Sequence, residues 1–138
     1  MSAESNIKNI QAIYGAFGRG DVQAILENLT EDVKWGIQSR SNAGKSVPWH
    51  EQLVGNRNVP KFFTALATNM DFTRFEPQAF VANDEYVYST VVFEATLKKN
   101  GRKLAMTVFH RFTFKNGRVA EWLGSEDTAL ADEVFGAK

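Results

Sequence analysis

The side chains of this chain that are best suited to chemistry are two histidines, His50 and His110. An imidazole can exchange a proton near neutral pH or hydrogen-bond a ligand oxygen, so each is a candidate for the centre of a site. His50 follows a tryptophan in a turn-rich stretch, where a solvated surface position is the plain alternative to a pocket role. His110 interrupts a row of apolar residues, where the alternative is a structural histidine bonded to a neighbour.

His110 belongs to a predicted strand in which every second residue shares a face. Met106, Val108, Phe112 and Phe114 alternate with it and are all apolar. Because successive side chains of a strand point to opposite sides, all five lie on one face. We therefore expect His110 to face inward, where burial would lower its pKa.

The composition limits what the rest of the chain can do. Its 138 residues are 43% hydrophobic, which suits one domain over 1–138 with a core of its own. Sixteen basic residues balance sixteen acidic ones without clustering, so no nucleic-acid partner is expected. The absence of cysteine excludes disulfides, thiolate nucleophiles and Cys-ligated metals. The two histidines lack metal-ligand spacing, and we predict no metal and no other cofactor.

No stretch approaches the ~20 apolar residues that a membrane span needs. The polar start of the chain also lacks the basic and then apolar pattern of a secretory signal. We therefore expect no membrane partner and a cytoplasmic location, which the absence of cysteine also suits.

Hydrophobic spacing predicts helices in the first half of the chain. An amphipathic helix through 7–17 ends at Gly18-Arg19-Gly20, and Asp21 is a natural N-cap for a second helix over 22–29. A short strand follows at 33–37. A third helix begins near Pro60. Its inner face is predicted to consist of Phe62, Phe63, Leu66 and Met70.

From residue 71 onward the apolar pattern alternates, which is typical of strands. Four strands are predicted, over 72–81, 86–98, 103–114 and 118–125. Asn-Gly pairs at 100–101 and 116–117 are strong hairpin signals, since a type I′ turn needs positive φ at both central residues. Helices therefore precede an antiparallel sheet, and the fold class is α+β.

The supply of aromatic residues favours a cavity around His110 over a filled core. Eleven Phe, three Trp and three Tyr stand in a small domain. Such a cavity would suit a flat, mainly apolar molecule, and residues 38–47 are predicted to form a loop near its mouth. The predicted ligand-binding residues are Tyr14, Phe17, Trp35, Ile37, Trp49, His50, Phe63, Phe93, Met106 and Trp122.

Five short stretches, read in order, carry a resemblance to a known family: 14–21, 32–35, 55–63, 110–119 and 127–129. Their order and spacing resemble the SnoaL-like polyketide cyclases of the nuclear transport factor 2-like superfamily, which also includes ketosteroid isomerases. The likeness covers nearly the whole chain. It implies three helices packed in the concave face of a strongly curved, mainly antiparallel sheet, like a cone around a ligand cavity.

The resemblance also implies a homodimer through the convex face of the sheet. Tyr86, Tyr88, Val92 and Glu94 are predicted to lie on that face, because they alternate with inward residues. A mixed apolar and polar surface of this kind is typical of two-fold dimers.

The catalytic residues of the resembled families do not all have counterparts here. The aspartate base of ketosteroid isomerases falls at or near Ile37, and their second acid at Met106 or Thr107, so that chemistry is not expected. The SnoaL-like pattern places its histidine on His110 but its aspartate on Gly124. Half of that site is therefore missing at the aligned positions.

Two nearby carboxylates are candidates for the missing acid. Glu126 shares a face with Trp122 and Gly124 if the last strand stays regular, and Asp127 reaches that face only through a bulge. With His110 they complete the predicted catalytic set. The predicted function is binding of a small, mainly apolar molecule, with acid/base chemistry on a carbonyl compound of isomerase, cyclase or dehydratase type. A non-catalytic ligand-binding protein and a dimeric interaction module are the alternatives.

Overall fold

The computed structural model describes residues 2–39 and 46–137, which form four α-helices, one 3-10 helix and six strands. The central part of the predicted 38–47 loop lies outside the described residues. In chain order the elements are α1 (Ala3–Gly18), α2 (Val22–Leu26), β1 (Leu29–Ile37), a 3-10 helix (Pro48–His50), β2 (Leu53–Val54), α3 (Pro60–Asn69), β3 (Met70–Ala82), β4 (Tyr86–Leu97), β5 (Lys103–Lys115), β6 (Arg118–Ser125) and α4 (Thr128–Gly136).

The strands form one open, curved sheet in the order β2-β1-β6-β5-β4-β3. The last four strands pair antiparallel with their neighbours in the chain, as the Asn-Gly turns predict. Asn116 and Gly117 have φ of 52° and 80°, so both central residues of the β5–β6 turn take the positive φ of that turn type. At 100–101 only Gly101, with φ of 70°, does so, and the predicted type I′ turn is wrong there. The α+β class with a mainly antiparallel sheet is confirmed.

One pairing of the sheet is parallel and was not predicted. β1 runs parallel to β6, with Trp35 beside Trp122 and Ile37 beside Gly124. A strand's alternation predicts its two faces but not its partner, and these partners are 87 residues apart in sequence. The pairing places the two tryptophans side by side on the concave face, with ring centroids 4.8 Å apart.

Two predicted helix ends are wrong by a few residues, for the same reason. α2 ends at Leu26, and Leu29 is already in β1, where it lies opposite Val119. α3 ends at Asn69, and Met70 begins β3 opposite Leu97. In both places the pairing with a distant strand outweighs the local helical spacing of the apolar residues.

The concave face of the sheet holds the core. α1 begins with a capping box between Ser2 and Ser5 and packs its buried face on β3 and β4. Ile10 and Ile13 on that face are almost fully buried. The predicted cap Asp21 is present, and Asp127 caps α4 in the same way, since each carboxylate accepts a backbone N–H at the start of its helix. Within the described part of the chain, no helix is long and apolar enough to cross a membrane.

Candidate functional site

A cavity of about 80 Å³ lies between the concave face of the sheet and the helices. Its wall is almost wholly apolar and aromatic, with contributions from α1, α3 and β1 and from strands β3 to β6. Among the predicted site residues, the wall contains Tyr14, Phe17, Trp35, Ile37, Trp49, Phe63, Phe93, His110, Trp122 and Glu126. The wall also contains residues that were predicted only as core or not singled out: Ile13, Ile25, Phe62, Leu66, Met70, Phe72, Phe75, Val108 and Phe112.

One polar cluster consists of Tyr14 and His110, which line the cavity, and Ser89, which contacts Tyr14; we call it the tyrosine cluster. The Tyr14 hydroxyl lies 2.7 Å from His110 Nδ1 and 2.5 Å from Ser89 Oγ. Ser89 and His110 are direct partners across β4 and β5, so the sheet register holds them side by side. Tyr14 reaches both from α1. Its ring is roughly parallel to the imidazole, at a centroid distance of 5.9 Å.

Burial sets the charge state of this cluster. It lowers the pKa of His110 to about 3, so the imidazole is neutral at physiological pH. Burial also raises the pKa of Tyr14, an effect that the hydrogen bond with Ser89 partly opposes. Trp122 and Phe112 surround the imidazole edge-on, at centroid distances of 5.0 and 6.1 Å. The cluster is therefore a set of neutral hydrogen-bonding groups in an apolar environment.

The other polar cluster consists of Trp49 and Glu126, which line the cavity, and His50, which contacts Glu126; we call it the carboxyl cluster. Glu126 Oε2 lies 2.7 Å from His50 Nε2 and accepts a hydrogen bond of 3.3 Å from Trp49 Nε1. The side chains of His50 and Glu126 are only 3% and 5% exposed. No described residue hydrogen-bonds the second oxygen, Oε1, and the Glu126 side chain lines the cavity. Among the described residues, the Glu126 carboxyl group is therefore held through only one of its two oxygens.

The surface position considered for His50 is wrong, because this side chain is buried against Glu126. The 3-10 helix Pro48–His50 turns the histidine toward the short connection between β6 and α4. Its partner is 76 residues away, and no local pattern around His50 signals that contact. His50 supports Glu126 and is not part of the cavity wall.

Two other predicted site residues also lie off the cavity wall. The Asp127 carboxylate caps α4, where it accepts a hydrogen bond of 3.0 Å from the Leu130 N–H. Met106 is half-buried on the concave face, opposite Phe93 on β4. Of the two candidate carboxylates, the structure thus places Glu126 at the cavity.

Packing explains why position 124, the aligned acid position, has a glycine and not an aspartate. Gly124 lies directly opposite His110 on the neighbouring strand. A Cβ built there would lie 2.9 Å from the Trp122 ring and 3.0 Å from Ile37 Cγ1, closer than packed carbon atoms approach. The Trp122 ring therefore occupies the space that an aspartate would need.

Ser89 is the polar residue of the site that the sequence interpretation missed. It alternates in phase with the buried residues Val87 and Val91. A small hydroxyl residue in such a buried row needs a hydrogen-bond partner. The alternation of Ser89 with apolar residues could therefore have indicated a polar contact on the inner face of the sheet. In residues 2–39 and 46–137, no three His, Asp or Glu side chains come together in a group that could hold a metal ion.

Solved structures share this architecture at low sequence identity. A protein of unknown function from Burkholderia pseudomallei, described as NTF2-like, is 24% identical with a TM-score of 0.84, over 96% of this chain and 98% of that one. TerC, co-crystallised with polyporic acid, is 22% identical with a TM-score of 0.82, over 96% and 99%. A proposed polyketide cyclase from Xanthomonas campestris is 17% identical with a TM-score of 0.76, over 96% and 98%.

These likenesses show the fold, and a search of curated proteins finds no match. The family evidence comes from the sequence itself. The sequence model of the SnoaL-like domain matches residues 10–122, which is most of the chain. The chain therefore belongs to the SnoaL-like domain family.

Proposed function

We propose that this SnoaL-like domain binds a small, mainly apolar carbonyl compound in its aromatic cavity and moves a proton on the carbon next to the carbonyl. The reaction would be of isomerase, cyclase or dehydratase type. The observation that carries the proposal is the presence of two polar clusters in an otherwise apolar wall. One contributes an imidazole to the cavity wall, and the other a carboxyl group.

Glu126 is the proposed acid/base group. His50 and Trp49 hold one of its oxygens, which fixes the direction of the carboxyl group and leaves Oε1 for a substrate. A positioned carboxylate can take a proton from carbon when the resulting enolate oxygen is stabilised by a hydrogen-bond donor. His110 is the polar group at which we place that oxygen.

The apolar wall supports a ligand with few polar groups. Trp35 and Trp122 pack side by side on the sheet, and Phe62 and Phe63 face them from α3. Such walls favour flat hydrophobic molecules and leave orientation to a small number of polar contacts. TerC, which was co-crystallised with polyporic acid, and the proposed polyketide cyclase agree with this class by analogy of fold.

Deuterium exchange tests the chemistry before the natural substrate is known. The protein in D₂O should accelerate exchange of the α-protons of 2-indanone, a small two-ring ketone, followed by NMR. Glu126→Gln keeps the shape of the side chain but not its basicity, and should lower the enzymatic rate by about 10² to 10⁴-fold. Glu133→Gln is the matched control on exposed α4 and should exchange like wild type.

The non-catalytic alternative is favoured by one observation, the absence of the family's acid at Gly124. The same samples separate the two functions, because Trp35, Trp49 and Trp122 line the cavity and their fluorescence reports binding. Quenching by 2-indanone without accelerated exchange would favour a binding protein. Equal exchange by wild type and Glu126→Gln would contradict the role of Glu126.

We also propose a homodimer through the convex face of the sheet. Tyr88 and Phe109 are 49% and 58% exposed on that face, and Val81 is the cross-strand partner of Tyr88. A row of exposed large apolar side chains on a sheet indicates an interaction surface. Sedimentation of wild type and Phe109→Asp should give a dimer and a monomer respectively, and a monomeric wild type would contradict the proposal.

A further inference from the structure

We infer that His110 presents an Nε2–H donor to the cavity, fixed in that tautomer by Tyr14 and Ser89, and that the ligand atom it binds is therefore a hydrogen-bond acceptor such as a carbonyl or enolate oxygen. The assignment of this oxygen deepens the proposed function and rests on it for the ligand class. The tautomer itself does not depend on any activity.

The three groups of the tyrosine cluster form a linear chain of hydrogen bonds. Ser89 Oγ contacts the Tyr14 hydroxyl, and the Tyr14 hydroxyl contacts His110 Nδ1. No other described group hydrogen-bonds Ser89 Oγ or His110 Nε2. Each of the three groups has one hydrogen to place when the imidazole is neutral.

Two directions of donation run along the chain and satisfy both hydrogen bonds, and they differ in the hydrogen that is left over. In a third arrangement Ser89 and Nδ1–H both donate to Tyr14, and the hydrogen of the buried Tyr14 hydroxyl is left without a described acceptor. If Ser89 donates to Tyr14 and Tyr14 donates to Nδ1, the remaining hydrogen is on Nε2 of the imidazole, a ring that lines the cavity. If Nδ1–H donates to Tyr14 and Tyr14 donates to Ser89, the remaining hydrogen is on the Ser89 hydroxyl. Ser89 is buried, so this second direction leaves an unsatisfied donor away from any ligand.

The electrostatics of the cluster exclude a charged imidazole and leave the choice of tautomer to the hydrogen bonds. A protonated imidazole would have to donate from Nδ1 to Tyr14, but burial lowers the pKa of His110 and keeps the ring neutral. Burial raises the pKa of Tyr14, so its hydroxyl keeps the hydrogen that it donates. A neutral imidazole that accepts at Nδ1 must carry its hydrogen at Nε2.

With this tautomer, the two clusters have different roles in the proposed reaction. Glu126 takes the proton from the carbon next to the carbonyl, the C–H bond breaks, and its electron pair forms the C=C bond of an enolate. The charge then lies on the oxygen, where His110 Nε2–H donates to it. Return of a proton from Glu126 to carbon closes the step with no other reactant. Ser89 and Tyr14 act on this oxygen only through His110, as positioning residues.

Nitrogen NMR reads the tautomer directly. Long-range ¹H–¹⁵N correlation of ¹⁵N-labelled protein at pH 7.5 distinguishes a protonated from an unprotonated ring nitrogen, and His110→Gln identifies the signals of His110. We expect an unprotonated Nδ1 and a protonated Nε2 in wild type and in Ser89→Ala, where Tyr14 can still donate. Tyr14→Phe should move the Nδ1 shift to that of a nitrogen without a donor. The matched control Tyr88→Phe, on the exposed face, should leave both shifts unchanged.

A protonated Nδ1 in wild type would overturn the inference, as would identical Nδ1 shifts in wild type and Tyr14→Phe. If Tyr14→Phe does not fold, the wild-type and Ser89→Ala spectra still decide the tautomer.

The bound carbonyl gives the second measurement. The carbonyl resonance of ¹³C-labelled 2-indanone should move to higher frequency in wild type and in Glu126→Gln, because both retain the donor, but not in His110→Phe. The same bound shift in His110→Phe and wild type would overturn the ligand assignment. A shifted carbonyl without deuterium exchange would support the donor role while contradicting the proposed chemistry, so the two failures are distinct.

Discussion

The two polar clusters of the cavity are built in different ways. The tyrosine cluster takes its side chains from within α1, β4 and β5, where helix packing and strand register fix every position. The carboxyl cluster takes its side chains from the 3-10 helix Pro48–His50 and from the connection between β6 and α4. A helix and two strands therefore form the tyrosine cluster, whereas two short segments that contact each other form the carboxyl cluster.

The two clusters also differ in the chemistry of their side chains. Regular elements hold neutral groups whose hydrogen bonds have a fixed direction, which suits recognition of a ligand oxygen. The connections hold the ionisable carboxyl group, and chain variation between relatives is tolerated best in such segments. In this chain the carboxyl group at the cavity is two residues beyond Gly124, in the connection that follows β6.

Placing an aspartate at position 124, on β6, should have the largest effect on the free energy of unfolding. Gly124→Asp places a Cβ against Trp122 and Ile37 and adds a buried carboxyl group opposite His110. We expect a loss of about 3 kcal/mol or more in the free energy of unfolding, from overpacking and desolvation together. Denaturant unfolding measures it. Gly136→Asp is the control, since nothing lies within 4 Å of a Cβ there; equal losses in the two variants would show that the site can accept the aspartate.

The same difference between regular elements and connections explains which features of the fold and the site the sequence predicts. His110 and its inward direction follow from strand alternation, and Tyr14 follows from helical spacing, since both patterns are local. The buried contact between His50 and Glu126 joins segments 76 residues apart, and neither segment has a period that reports it. The parallel pairing of β1 with β6 escaped prediction for the same physical reason.

Breaking the carboxyl cluster should have the next largest effect. Glu126→Ala leaves the buried groups of His50 and Trp49 without their acceptor. We expect a loss of about 3 kcal/mol in the free energy of unfolding, whereas Glu126→Gln, which retains an oxygen, should lose about 1 kcal/mol. Glu133→Ala on the exposed face of α4 is the control and should change little. A loss in Glu126→Ala no greater than in this control would mean that the cluster does not stabilise the fold.

Breaking the tyrosine cluster should cost less, because its groups are neutral. Tyr14→Phe removes one hydroxyl and both of its hydrogen bonds while retaining the ring packing. We expect a loss of about 1–2 kcal/mol by denaturant unfolding. Tyr88→Phe, half exposed on the other face, should be close to neutral. If Tyr14→Phe cost more than Glu126→Ala, the order of the two clusters would be reversed.

The pH dependence of stability should show the smallest difference and depends on His110. Its pKa is about 3 in the folded protein and 6.5 ordinarily, so the unfolded chain binds the extra proton first as pH falls. This contribution is fully present above pH 6.5 and is lost progressively between pH 6.5 and about 3, amounting to about 1 kcal/mol between pH 7.5 and 5.5. His110→Gln cannot titrate, so the free energy of unfolding of this variant should fall less over that interval, by the same amount. If the free energy of unfolding had the same pH dependence in wild type and His110→Gln, the imidazole would titrate normally in the folded protein. The tyrosine cluster would then not be held neutral, and the contrast with the carboxyl cluster would fail.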